Sequence, residues 1–232
     1  MGIPRKSRRE RLRAHTTSQI KATALDHLAG GGSGALSLRA IAREMGMTAG
    51  AIYSYFDTRE ALITALIADL HTALADLLEA ACRGAAQEGP AAAVFALGHA
   101  YRDWGISHPR HFHLIHGHPA GEGQPVPEAA HRAPALLTGL VAACLRLRGA
   151  PEPVTGTHPY GWEDFEPGFV ARVRAAHPEA SPAALAGALR LWARMQGLVS
   201  LEVYGHLGAQ TRQPSKLFHA EMRQSLLALG AC

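Results

Sequence analysis

The chain has 232 residues, enough for one large compact domain or for a small domain joined to a larger one. Hydrophobic residues make up 47% and charged residues 18%, which excludes an intrinsically disordered chain, and the low aromatic share beside abundant Ala and Leu favours helices over strands. The net charge of +4 is modest but unevenly placed: Arg5, Lys6, Arg8, Arg9, Arg11 and Arg13 crowd the start of the chain against one acid, Glu10, forming a basic arm over 1–15 able to neutralise phosphates.

The first helix is expected from about Thr16, where Thr16 and Gln19 have capping-box spacing, with Ile20, Ala24 and Leu28 on one face and the glycines from Gly30 to Gly34 ending it. A short second helix follows a Ser37 cap through Leu38, Ile41, Ala42 and Met45, and Gly46 turns the chain. A third starts at a Thr48 cap and carries Ala51, Ile52, Tyr55 and Phe56. Asp57 and Glu60 have capping-box spacing at the head of a long fourth helix, whose Leu62, Leu66, Leu70, Leu74 and Leu78 form an apolar stripe running to about Cys82. Further helices are expected over 90–106, 108–116, 128–148, 168–177, 181–206 and from Pro214 to near Gly230. Residues 117–127 and 149–168 read as loops, and Trp162 in the second is a candidate lid. The fold class is therefore all-α.

Cys82, Cys144 and Cys232 are too few and too scattered for a disulfide framework or a cysteine metal site, which fits a reducing cytoplasm. No apolar signal core stands at the N-terminus, and no apolar run is judged long enough to span a bilayer, so no membrane partner is expected.

The informative stretch is Ser37–Leu62. Two short helices about a Gly46 turn fit a helix-turn-helix, in which the second helix enters the major groove. The first turn of that helix, Thr48-Ala49-Gly50, is uniformly small. Glycine inside a helix costs about 1 kcal/mol against Ala, and close approach to another surface is one reason to accept it. Tyr53 and Tyr55 can donate to phosphates, and Arg59 adds charge and a fork of donors. An ordinary three-helix packing unit, with the tyrosines as core or rim, remains the alternative from spacing alone.

The run Ile41-Ala42-x-x-Met45-Gly46-Met47-Thr48-x-Gly50-x-Ile52-Tyr53-x-Tyr55-Phe56-x-x-Arg59-Glu60-x-Leu62 resembles the helix-turn-helix signature of the TetR family of transcriptional regulators. The resemblance implies a three-helix DNA-binding domain over 16–62 and a helical effector-binding and dimerisation domain over 63–232. It implies that Ser37, Thr48, Tyr53, Tyr55 and Arg59 hold phosphates and that Ala49 and Gly50 sit against bases. Because those base-facing side chains are small, Arg39 or the arm is expected to add specificity. The family commonly has Lys where Arg59 stands. Farther on, Ser107-His108-Pro109-x-x-Phe112-x-Leu114-Ile115 and Trp192-x-x-x-Gln196-Gly197-Leu198-Val199-Ser200-Leu201-Glu202 resemble a sub-branch of the family marked by Trp-x-x-x-His-Gly, with Gln196 in place of the His.

The resemblance further implies a homodimeric repressor that grips palindromic double-stranded operator DNA and is released by a small-molecule effector. Trp104, Phe112, Trp192, Met195, Gln196 and Tyr204 are candidate pocket residues, apolar walls with a few polar groups. The last two long helices are apolar on more than one face, so Leu191, Leu198, Leu201, Leu217 and Leu226 are candidates for a dimer interface. The histidines His108, His111, His113, His116 and His118 raise a metal-responsive alternative, although only His113 and His116 have chelating helical spacing and no metal site is assigned. No phosphate loop, dinucleotide fingerprint, zinc-protease or nucleophile-elbow motif is present, so no enzyme activity and no cofactor are expected.

Overall fold

A computed structural model describes residues 7–31, 36–117, 126–148 and 160–229. Ten α-helices appear among them: α1 (Arg8–Gly31), α2 (Leu38–Glu44), α3 (Ala49–Tyr53), α4 (Arg59–Ala85), α5 (Pro90–Ser107), α6 (Pro109–His116), α7 (Arg132–Arg148), α8 (Pro167–Ala176), α9 (Pro182–Val203) and α10 (Pro214–Ala228). No strand occurs among the described residues.

The helices sort into two compact units, one holding residues up to Leu70 together with 113–118, the other holding the rest. The first unit is built on α1 to α3 and the start of α4. Its core joins Ile20 and Ala24 of α1, Leu38, Ile41 and Ala42 of α2, Ile52 of α3, and Leu62, Leu66 and Leu70 of α4, with Leu114 of α6. Within α1, α2 and α4 these residues recur at helical spacing, so one apolar stripe per helix suffices to bury them.

The second unit packs α5, α7, α9 and α10 with the remainder of α4. Leu78, Val94, Leu97, Leu137, Val141 and Leu185 form its centre. Pro90, Pro167, Pro182 and Pro214 each open a helix, where a missing N–H is harmless and the ring presets φ. Ser181 adds a side-chain cap at the head of α9, as its sequence position predicts.

Several boundaries differ from expectation. The first helix begins at Arg8, because the working capping box is Ser7 and Glu10: the Ser7 hydroxyl accepts from the Glu10 amide at 3.2 Å, and the Glu10 carboxylate from the Ser7 amide at 2.7 Å. The Thr16 hydroxyl instead donates back to the Leu12 carbonyl, as a threonine does inside a helix. At α4 the cap is Thr58, whose hydroxyl accepts from the Ala61 amide at 3.0 Å.

Residues 59–88 also correct the expectation about apolar runs, since this stretch is long and apolar enough to cross a membrane by length and composition. Leu62, Leu66, Leu70, Leu74 and Leu78 are buried while Leu77 is exposed, and the helix carries Asp69, Asp76, Glu79 and Arg83, as a core helix can. Cys82 and Cys144 are buried and unpaired by any disulfide; burial pushes each thiol up to about 11. Cys232 lies outside the described residues.

Candidate nucleic-acid interface

The first unit presents one face assembled by two capped helices. Ser37 is extended (φ −130°) and its hydroxyl accepts from the Ala40 amide at 3.4 Å, opening α2. Thr48 does the same for α3, accepting from the Ala51 amide at 3.2 Å. Between them Gly46 adopts φ +66°, a left-handed conformation that a side chain disfavours, and so turns the chain sharply. Ile41, Ala42 and Ile52 point inward and hold the two helices together.

What points outward is then fixed by helical phase. Ser37, Arg39, Thr48, Ala49, Gly50 and Tyr53 are all exposed. A Cβ added at Gly50 would meet nothing within 4 Å, so packing inside this chain does not require its smallness. Helix α3 spans five residues and ends at Tyr53, shorter than predicted; Tyr55 and Phe56 fall in the turn to α4, with Phe56 buried.

Two candidate residues are engaged inside the chain. Tyr55 is half-buried, and the Arg13 guanidinium lies over its ring at 4.8 Å while Nη2 donates to the Ser54 carbonyl at 2.7 Å. Arg59 is half-buried as well. Its Nε donates to the Leu36 carbonyl at 3.1 Å and its Nη1 to the Glu60 carboxylate at 3.2 Å. Arg59 therefore ties the start of α4 to the segment before α2. The role of Arg13 as a brace was not foreseen, because only its charge is visible in the sequence.

In the second unit the proposed pocket residues gather around one that was missed as a site residue. Tyr101, fully buried on α5, lies 6.1 Å from the Phe112 ring and 5.1 Å from the Trp192 ring. Phe112 in turn lies 6.3 Å from both Trp104 and Tyr204. Burial, aided by the neighbouring Tyr204, raises the Tyr101 hydroxyl far above its ordinary range. Tyr101 recurs with Val94, Leu97 and Trp104 at helical spacing on α5, a pattern that marks a buried face without marking a site. Met195 is buried and Gln196 half-buried on the same helix as Trp192, and Tyr204 is exposed. Trp162 lies beneath the Arg174 guanidinium at 5.7 Å. Residues 149–159 of its loop lie outside the described residues.

The candidate dimer residues divide. Leu201 and Leu217 are exposed and Leu198 is half-buried. Leu191 and Leu226 are a correction: both are buried within the chain itself, and Leu227, one position on, is exposed instead. A helix turns through about 100° per residue, so a shift of one position moves a leucine off the outer face.

Among the histidines, the rings of His108 and His111 stack at 5.3 Å with a 12° interplanar angle, and His108 Nδ1 lies 3.1 Å from the Trp104 carbonyl. Stacked rings do not converge their nitrogens on one point. Burial, then the charge of His108, lowers the His111 pKa. Among the described residues no group of three or more His, Cys, Asp or Glu is placed to hold a metal ion. His118 lies outside the described residues.

Comparison with known proteins bears on the same two regions. Residues 20–66 match the family model for bacterial regulatory proteins of the tetR family, and residues 94–225 that for the tetracyclin repressor-like C-terminal domain. The chain is 30% identical over 238 residues to the HTH-type transcriptional regulator Rv1816 of Mycobacterium tuberculosis, with 97% of this chain and 95% of that protein covered, and matches Mb1846 of Mycobacterium bovis to the same extent. The solved structure of SCO4313 is 34% identical, with a TM-score of 0.70 over 95% of this chain and 99% of that one. A protein with unknown function from Rhodococcus sp. RHA1, 23% identical, shares the fold at a TM-score of 0.70 over 93% of this chain and 95% of that one. Matched along nearly the whole length of such relatives, and by models for both of its regions, the chain belongs to the TetR family of transcriptional regulators, a family of operator-binding homodimers and not of enzymes.

Proposed function

We propose that this regulator is a repressor that binds a near-palindromic operator as a homodimer, its two α3 helices entering the major groove about one DNA turn apart. The observation that carries this reading is the exposed Thr48-Ala49-Gly50 turn, with open space where a Gly50 side chain would stand. Ala49 and Gly50 lie against base edges, and Ser37, Thr48 and Tyr53 against phosphates. Arg39, exposed on α2, adds contacts beside them. Leu198, Leu201, Leu217 and Leu227 of α9 and α10 form the dimer face.

A small, largely apolar effector is held by the aromatic group around Tyr101, with Gln196 and Tyr204 supplying polar ends. It releases DNA only to the extent that it binds the non-gripping state more tightly. Selection of bound fragments from genomic DNA, followed by anisotropy on the recovered site, tests the reading. Tyr53→Ala is expected to weaken binding about tenfold, the worth of one hydrogen bond to a charged group. Recovery of no duplex above background, or equal binding by the variant across salt concentrations, goes against it.

A further inference from the structure

The first turns of α1 pose a physical question. Residues 8 to 15 are all exposed, and the α1 residues buried in the core begin only at Ile20. A helical end without packing frays, since most helical stability comes from a buried face. Two devices oppose fraying here. The reciprocal Ser7–Glu10 capping box closes the N-terminus, and Arg13 reaches across to the Ser54 carbonyl and the Tyr55 ring at the end of α3.

We infer that α1 supplies a second DNA contact, in which Arg9 holds a backbone phosphate and Arg13 is the positioning residue that aims it; this rests on the DNA-reading role of α3 proposed above. The geometry follows from helical phase. At about 100° per residue, Arg9 lies roughly 40° from Arg13 around the helix, one turn or about 6 Å farther along. Arg13 reaches the Ser54 carbonyl and the Tyr55 ring just after α3, so Arg9 projects from the same side of α1, one turn nearer the N-terminus. Arg8 and Arg11 lie roughly 140° and 160° from Arg13, on the back of the helix. The four arginines of the arm among the described residues thus separate into one facing the duplex, one locked within the chain, and two facing solvent. A guanidinium held on a rigid, pre-aimed helix loses less freedom on binding than one on a loose tail.

The test is the salt dependence of binding by the full chain to the fragment recovered above, in a series of potassium chloride concentrations. Each phosphate contact contributes about 0.9 to the slope of log K against log salt. Arg9→Ala is expected to reduce the slope by about 0.9, and Arg9→Lys to restore it. Arg8→Ala and Arg11→Ala are expected to leave it unchanged. In an Arg13→Ala background, Arg9→Ala is expected to have little further effect, the sign of a coupled pair. Because Arg9 is exposed, its replacement leaves the fold intact, which circular dichroism checks. An unchanged slope for Arg9→Ala, or equal losses from Arg8, Arg9 and Arg11, as a loose tail would give, overturns the inference while leaving the role of α3 standing. Failure of the wild type to bind duplex at all overturns both.

Discussion

Arg102 on α5 grips Glu202 on α9 with a two-pronged ion pair: Nε and Nη2 donate to the two carboxylate oxygens at 2.8 and 2.6 Å, and both side chains are largely buried. The Phe218 ring of α10 lies 6.0 Å from the same guanidinium. Three helices of the second unit therefore meet at one charge. Removing one partner of such a pair leaves the other buried and uncompensated, at a cost of about 3–5 kcal/mol. Glu202→Ala is expected to lower the denaturant midpoint accordingly. Replacing both residues together with apolar ones of similar volume should recover much of the loss.

Gly105 allows α5 to approach its neighbours closely. A Cβ there would stand 2.8 Å from a Val199 methyl and 3.1 Å from the Phe112 ring. Valine is short and stiff, so it cannot swing aside. Gly105→Ala is expected to destabilise the chain by about 1–3 kcal/mol through overpacking, although alanine is the better helix former. A rise in Tm for this variant would show that the contact relaxes freely.

Arg59 separates a structural from a DNA-facing role. Its Nε bond to the Leu36 carbonyl is lost in Arg59→Lys, which keeps the charge but not the fork. The lysine variant is expected to lose about 1 kcal/mol of stability, and Arg59→Ala to lose stability as well while keeping the salt slope of DNA binding. A change in slope without a change in stability would return Arg59 to the phosphate set.

Three histidines give stability a predictable dependence on pH. Burial, first, and a neighbouring imidazole hold His71, His99 and His111 below the ordinary value of 6.5; His131, His219 and His108 are those neighbours. At His99, Arg102 acts in the same direction and Asp103 opposes it, and Nε2 is buried with no hydrogen-bond partner. On acidification the unfolded chain takes up these protons first. The stabilisation is therefore complete above pH 6.5 and is lost as pH falls through the lower folded-state values. Thermal melts at about pH 7.5 and 5.5 are expected to show a lower Tm in acid, and His99→Gln to reduce the difference. Equal melts for wild type and variant at both pH values would remove His99 from the account.

The helix-turn-helix was legible because its signals are local. Ser37 and Thr48 cap, Gly46 turns, and Ile41 and Ile52 bury, all within a few residues. The start of α1 was not, because Ser7–Glu10 and Thr16–Gln19 offer the same capping pattern and no buried stripe favours the earlier one. Partner choice was the other gap. Periodicity showed that α9 and α10 bury more than one face, but it could not assign Leu191 and Leu226 to the chain's own core. Arg59 and Arg13 likewise read in the sequence as cations for phosphate, whereas their carbonyl partners lie 23 and 41 residues away.

The Thr48 hydroxyl accepts the Ala51 amide through one lone pair, and its own hydrogen is not used in that bond. The oxygen that starts α3 is thus already fixed in place, with a donor left over to face an incoming anion. A phosphate bound there, in the role proposed above, would leave that cap in place. Alanine at this position would therefore weaken the fold and the grip together, whereas serine, with the same amphoteric group, would preserve both.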